Sequence, residues 1–369
     1  MDRDTYVKRF GRMQKELQQS GMDLAVFADR ENLIYYTGMT NFDCLSMVIP
    51  AEGEPRLVSL WLDAEYVRSQ VPSPHVESYV FPATNLGTRT AEVIREMGYS
   101  SPRMGFGKYF VEFSVFDALR KALPGAEFVG MTTNCYRVRS IKDDSEIALM
   151  RRAGQIVVEG MRAAIRAVEP GRRESEVAAE AEYAMGKAGS QGSPFRMQVL
   201  SHERQMLTHP YAGDTALAND QPVVIHLGAT VEGYVAKMCR TVALGKVAPE
   251  SEHIYSVLIA AQRAAVNAVK PPVPVQVVYQ AAFKVVDDAG YGRNFLDVIG
   301  YGVGIRQSEF YPVIDKNGDH VIERNMLIDM LLPTIYKKGV GGPRLTDTML
   351  VTDAGVENLT PFPVEMVRK

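Results

Sequence analysis

The sequence predicts two domains of different class, an α/β layer domain at the N-terminus and an α+β domain after it. Three observations predict this. The chain has 369 residues, more than one hydrophobic core usually serves. Short apolar runs alternate with helical stretches up to about residue 135. Beyond that point the helices lengthen, become amphipathic and arrive in pairs between strands.

Residues 5–19 carry Phe10, Met13 and Leu17 at helical spacing, stopped by Ser20 and Gly21. LAVFA (24–28), LSMVI (45–49) and PRLVSLW (55–61) read as strands, and helical stretches follow near 63–70 and 88–97. MGFG (104–107), a helix near 111–123 and EFVG (127–130) continue the alternation. RVRSIKDDSEI (137–147) reads as a connector, so the domains are placed at 1–136 and 137–369. In the second, Ile147, Met150, Gly154, Val157, Met161, Ala164 and Val168 form one helical stripe, ended by Pro170-Gly171. Further helices are expected near 174–188, 250–269 and 276–289, with strands at 196–201, 222–227, 233–243, 296–304, 326–335 and 344–352.

Composition excludes several classes. The chain is 46% hydrophobic and 23% charged with a net charge of −3, which gives no electrostatic case for nucleic acid or an anionic membrane. No run approaches the roughly 20 apolar residues of a membrane span. The N-terminus, MDRDTYVKRF, lacks an apolar signal core, so a cytoplasmic location is expected. Cys44, Cys135 and Cys239 are isolated and odd in number, which supports neither a zinc knuckle nor a disulfide framework. DKNGD (315–319) lacks the twelfth-position glutamate of a calcium loop, and GYGVG (300–304) lacks the spacing of a dinucleotide fingerprint.

The stretch VVIHLGATVEGYVAKMCRTVALG (223–245) reads as a glycine-turned hairpin that aims His226 and Lys237 inward. Together with NLIYYTGM (32–39), KDDSEIALMRRA (142–153), His209-Pro210-Tyr211, GYGVG and GGPRLTDTMLVTDAG (341–355), it resembles the creatinase, prolidase and aminopeptidase P family over nearly the whole chain. The resemblance implies a creatinase-like α/β N-terminal domain, a pita-bread C-terminal domain of α+β class, and a homodimer. Metallopeptidases of that family hold two divalent ions with two aspartates, a histidine and two glutamates. On alignment these positions carry His226, Lys237, Tyr301, Leu331 and Thr346, the last followed by Asp347. Hard dications want oxygen-rich, anionic sites, and an ammonium at Lys237 repels them. No metal and no other cofactor is therefore expected, although Asp329, two residues before Leu331, shares its strand face.

Catalytic candidates are His209, Lys237, Tyr301 and His226. His209 aligns with the histidine that touches substrate in the metallopeptidases and is the proposed acid–base in creatinase. Lys237 is open to two readings: an ion pair with Asp329 or Glu309, or a group that binds an anion, polarises a carbonyl or serves as a base. Tyr301 is a hydrogen-bond donor to an oxyanion or a core aromatic. Substrate-binding candidates are Arg344 for a carboxylate, Glu309, His202, and Phe42 with Asp43, where creatinase supplies an arginine from its partner subunit. The expected partner is a small-molecule substrate. The leading expectation is a metal-independent hydrolase of a C–N bond. The alternatives are a catalytically silent binding member, a lyase, and an Xaa-Pro dipeptidase-type metallopeptidase.

Overall fold

In the computed structural model, which describes residues 1–107, 113–330 and 335–369, the chain divides into two units, Met1–Arg139 and Ser140–Lys369. The expected connector at 137–147 is helical as far as Ser140, within a helix Thr132–Ser140.

The first unit is built on a six-stranded mixed sheet in the order Val76–Tyr79, Arg56–Leu60, Leu45–Pro50, Leu24–Phe27, Arg103–Phe106, Glu127–Gly130. Leu24–Phe27 runs antiparallel to Leu45–Pro50 and parallel to Arg103–Phe106. All four of its residues are buried, as continuous apolar strands covered on both faces must be. Leu24, Val26, Val48, Val58, Ile94, Met104 and Leu119 share one core cluster. Helix Leu86–Glu96 starts where the Asn85 side chain accepts from the Thr88 N–H, satisfying an orphan donor of the first turn.

In the second unit, helix Asp144–Ala167 opens on a capping box. Asp143 Oδ1 accepts from the Glu146 N–H at 3.0 Å and Glu146 Oε2 accepts from the Asp143 N–H at 2.9 Å. Its stripe packs, with helix Glu174–Lys187, on the hairpin Gln221–Val231/Tyr234–Leu244, and Met161, Val177, Leu227 and Met238 share that core. Glu232 and Gly233, both at positive φ (46° and 81°), form the two-residue turn. The hairpin is the centre of a four-stranded sheet with Gln198–Leu200 and Val367–Arg368 at its edges. A second pair of helices, Pro249–Ala268 and Val275–Asp288, covers a five-stranded sheet ordered Glu309–Asp315, Val298–Gly302, Leu327–Met330, Asp347–Thr352, Gly355–Asn358.

The two sheets are stitched together at the hairpin. Cys239 and Thr346 exchange backbone hydrogen bonds of 3.0 and 3.2 Å. The Thr348 hydroxyl accepts from the Lys237 N–H at 2.9 Å and donates to the Lys237 carbonyl at 2.8 Å. Both hairpin strands are therefore buried on both faces almost throughout, one face against helices and the other against the site.

Candidate functional site

The hairpin register places His226 opposite Cys239 and Gly228 opposite Lys237. Directly opposed residues share a face, so His226 and Lys237 are diagonal neighbours on one side of the hairpin. Gly228 makes room above them. A Cβ there would lie 2.4 Å from Phe195 Cε1, and the Phe195 ring instead lies 4.6 Å from the His226 ring.

Lys237 Nζ is 2.5 Å from Asp329 Oδ2, and both side chains are 0% exposed. Nζ also donates to Ser308 Oγ at 3.3 Å. The other carboxylate oxygen, Asp329 Oδ1, accepts from the Tyr301 backbone N–H. Burial pushes the Asp329 carboxyl up from the ordinary range, and the Lys237 ammonium and the Tyr301 N–H work against that rise. Of the two readings of Lys237, the geometry is that of the ion pair with Asp329. A lysine removed from water needs such a partner, and none of its surface is left for a ligand.

His226 is 7% exposed, and its Nε2 is buried with no hydrogen-bond partner among the described residues. Burial drives its pKa well below the ordinary histidine value, with the positive charges of Lys237 and Arg344 adding to the effect. The imidazole is therefore neutral across the physiological range, with one unspent nitrogen in a positive field.

Arg344 differs from expectation. Its terminal nitrogens donate to Gln198 Oε1 at 2.8 Å and to the carbonyls of Gln205 (2.9 Å) and Leu207 (2.7 Å). Gln198 in turn donates to the Thr208 carbonyl at 3.2 Å. A guanidinium only 5% exposed must find acceptors inside, so Arg344 clamps the 205–208 backbone rather than offering a bidentate face. His209 follows the clamp directly and is exposed.

Tyr301 is half-buried, with its ring edge-on to Phe310 at 5.6 Å. Burial raises its hydroxyl pKa, as do the nearby carboxylates of Asp329 and Asp315. Glu309 is fully enclosed, 3.8 Å from Lys142 Nζ, a partner the sequence did not suggest. Gly304 admits it, since a Cβ there would stand 2.9 Å from both carboxylate oxygens. Thr346 Oγ1 donates to the Met330 carbonyl at 2.8 Å. Asp347 Oδ1 accepts from Arg240 Nη2 at 2.7 Å and from Thr360 Oγ1 at 3.0 Å, and Oδ2 from Gln262 at 3.2 Å. Leu331 lies outside the described residues.

These donors do not fit a pair of dications. Asp329 is committed to an ammonium and a backbone N–H, and Asp347 to an arginine, a hydroxyl and an amide. The free nitrogen of His226 stands beside fixed positive charge. Among the described residues no group of three or more His, Cys, Asp and Glu converges as a metal site.

The remaining candidates lie elsewhere. His202 lines a cavity of about 330 Å³ whose described lining contains neither His209 nor His226. Phe42 and Asp43 belong to the first unit, where they line a cavity of about 800 Å³ with Arg30, Cys44 and Tyr79. Arg30, twelve positions before Phe42, donates to the Thr40 carbonyl at 3.0 Å and lies 5.8 Å from the Phe42 ring. An arginine thus does reach this stretch, though from outside it. Arg30, Gln198 and Ser308 were missed because each acts across a long loop or from another strand, with no motif to announce it; Lys142 opens the quoted segment KDDSEIALMRRA, but nothing in the sequence signals its reach to Glu309.

Comparison with known proteins agrees with this architecture. Residues 148–353 match the model of metallopeptidase family M24, and residues 9–141 match that of the creatinase/prolidase N-terminal domain. YkvY of Bacillus subtilis is 29% identical over 364 residues, covering 98% of this chain and 99% of its own. The Xaa-Pro dipeptidase of Pyrococcus furiosus is 27% identical over 360 residues, with 98% and 99% covered. The solved structure of an Xaa-Pro dipeptidase from Bacillus anthracis superposes with a TM-score of 0.90 at 25% identity, covering 99% of this chain and all of that one. No helix among the described residues is long and apolar enough to cross a membrane.

Proposed function

This chain belongs to metallopeptidase family M24, with a creatinase/prolidase N-terminal domain and a pita-bread C-terminal domain, and from that premise we propose that it is a metal-independent hydrolase of a C–N bond in a small polar, carboxylated molecule. The observation that carries the reading is the closed Lys237–Asp329 pair. It fills, with covalently fixed charge, the place where aligned metallopeptidases put a metal carboxylate.

The proposed chemistry adds water across an amide or amidine C–N bond, the hydroxyl going to carbon and a proton to the leaving nitrogen. His209, exposed on the loop that Arg344 fixes, carries the proton. His226, held neutral, takes a hydrogen bond from the substrate or water at Nε2. The Arg344 guanidinium, which no carboxylate pairs among the described residues, supplies the positive field that favours the substrate carboxylate and the developing oxyanion. On this reading the protein is a cytoplasmic homodimer, a state that light scattering tests.

One observation favours a second reading, a silent binding member of the fold: Lys237 is neutralised and enclosed, and Met330 packs into the interior. The experiment separates the readings. Elemental analysis and a thermal-shift screen of small N-substituted amino acids, with and without chelator, are followed by a turnover assay on each hit. Hydrolysis that survives chelator and is abolished by His209→Ala supports the first reading. Saturable binding without turnover supports the second. Stoichiometric manganese, zinc, cobalt or iron, or a melting temperature that falls with chelator, overturns the metal-free proposal.

A further inference from the structure

The cavity of about 800 Å³ in the first unit lies where the strand order of its sheet reverses. Leu24–Phe27 and Arg103–Phe106 are parallel neighbours, and the chain leaves them in opposite directions. The first connects to Leu45–Pro50 on one side, the second to Glu127–Gly130 on the other. Open α/β sheets bind ligands in the crevice that such a divergence leaves outside the carboxyl ends of the strands. The cavity occupies that crevice, since Ala28 and Arg30 follow the first strand while Phe106 and Gly107 close the second. Its volume is that of a small-molecule site.

The walls are of two kinds. Val26, Leu33, Leu45, Leu86, Phe106 and Val115 give it a buried apolar interior. Phe81 also lines it and is 68% exposed, so the chain leaves this aromatic side of the cavity uncovered. Three charged residues line it: Asp29, Arg30 and Asp43. Asp29 is committed to the helix it caps, with Oδ1 accepting from the Asn32 N–H and Oδ2 from the Asn32 amide, each at 3.0 Å. Arg30 spends one nitrogen on the Thr40 carbonyl, and Asp43 spends one oxygen on the Cys44 N–H at 2.9 Å. Both side chains are otherwise exposed, and among the described residues neither forms an ion pair. A cation and an anion thus line one cavity without closing on each other.

A ligand that enters strips water from both charges and has to replace it. A simple anion sets like charge against Asp43, a simple amine does so against Arg30, and an uncharged apolar molecule satisfies neither. No group of three or more His, Cys, Asp and Glu converges as a metal site among the described residues. We propose that this cavity binds a free amino acid with a large apolar side chain. The carboxylate meets the Arg30 guanidinium, the ammonium meets Asp43, and the side chain enters the apolar interior beside Leu33, Leu86 and Phe106. The inference is independent of the proposed catalytic reading, whose residues all belong to the second unit.

The test is calorimetric titration of the full chain with phenylalanine, with hydrocinnamate, phenethylamine and alanine as controls that lack the ammonium, the carboxylate and the aromatic side chain in turn. Saturable binding of phenylalanine, at least tenfold tighter than each control, is expected. Arg30→Met and Asp43→Asn should each weaken it severalfold, and since both side chains are exposed the fold is kept. Cys44 reports the location, because it lines the cavity and is exposed while Cys135 and Cys239 are buried. Saturating phenylalanine should slow its reaction with a maleimide severalfold. A control that binds as tightly as phenylalanine, no saturable binding, unchanged Cys44 labelling at saturation, or binding that survives both substitutions overturns the proposal. His209→Ala should leave binding unchanged. Binding lost in that variant places the amino acid at the hairpin site and overturns the assignment, whereas a hairpin site without turnover refutes the catalytic reading alone.

Discussion

Lys237 and Asp329 form an ion pair of 2.5 Å in which neither side chain retains any exposure to solvent. Such a pair is held by mutual compensation, because each charge alone is severely penalised by the loss of water. Removing one partner should therefore cost far more than removing both. Lys237→Met and Asp329→Leu are each expected to destabilise the protein by about 3–5 kcal/mol. The double variant Lys237→Met/Asp329→Leu should recover much of that loss. Urea denaturation of the four proteins as a double-mutant cycle measures the coupling. Additive losses would show that the pair does not act as a unit.

His226 predicts a pH dependence. Its folded-state pKa lies well below the ordinary 6.5, so at mildly acidic pH the unfolded chain binds a proton that the folded chain refuses. Stability is then full above about pH 6.5 and is lost as the pH falls toward the folded pKa. The contribution lost between pH 7 and pH 5 is up to about 2 kcal/mol for one histidine held neutral. His226→Asn should flatten that acid limb. Melting temperatures of both proteins over this range give the comparison, and parallel curves would rule out His226 as the source.

The sequence was most readable where one physical pattern acted alone. Alternation and short apolar runs located Leu24–Phe27, Leu45–Pro50 and Arg103–Phe106, and the 3.6 period located Asp144–Ala167. Helix Arg30–Thr37 escaped because it is short and buried on nearly every side, so it has no stripe to read. Its only signals were the Asp29 cap, which accepts from the Asn32 N–H, and Gly38 at φ 73°. Strand Val76–Tyr79, at the sheet edge with two buried residues, was equally faint. In the site, strand parity put Asp329 on the inward face and made its pairing with Lys237 conceivable. The Arg344 clamp was not legible, because its acceptors are backbone carbonyls at 205 and 207 that every sequence possesses.

Gly154 shows the same limit from another side and yields a prediction. It sits in the apolar stripe of helix Asp144–Ala167, where alanine would be the better helix former by about 1 kcal/mol. A Cβ at this position, however, would stand 2.1 Å from the Leu359 carbonyl oxygen. That carbonyl cannot retreat freely, since the Leu359 N–H is bonded to the Thr348 carbonyl and the Thr360 hydroxyl to Asp347. Gly154→Ala should therefore destabilise the protein by about 1–3 kcal/mol, the scale of overpacking. A rise in melting temperature would mean that the segment yields.

Arg344 ties packing to the proposed chemistry. Its guanidinium holds Gln198 and the 205 and 207 carbonyls, and His209 leaves that clamp two residues later. Arg344→Ala strips three charge-assisted bonds and leaves buried acceptors unpaired, at a cost of about 3 kcal/mol. Arg344→Lys keeps the charge but offers one point in place of a fork, so it should rescue little. Backbone amides from 205 to 209 should exchange faster in both variants, with new protease cleavage confined to that loop. If His209 is the proton carrier, turnover should fall together with loop order. Retained turnover on a loosened loop would remove His209 from the mechanism and leave Arg344 with a purely structural role.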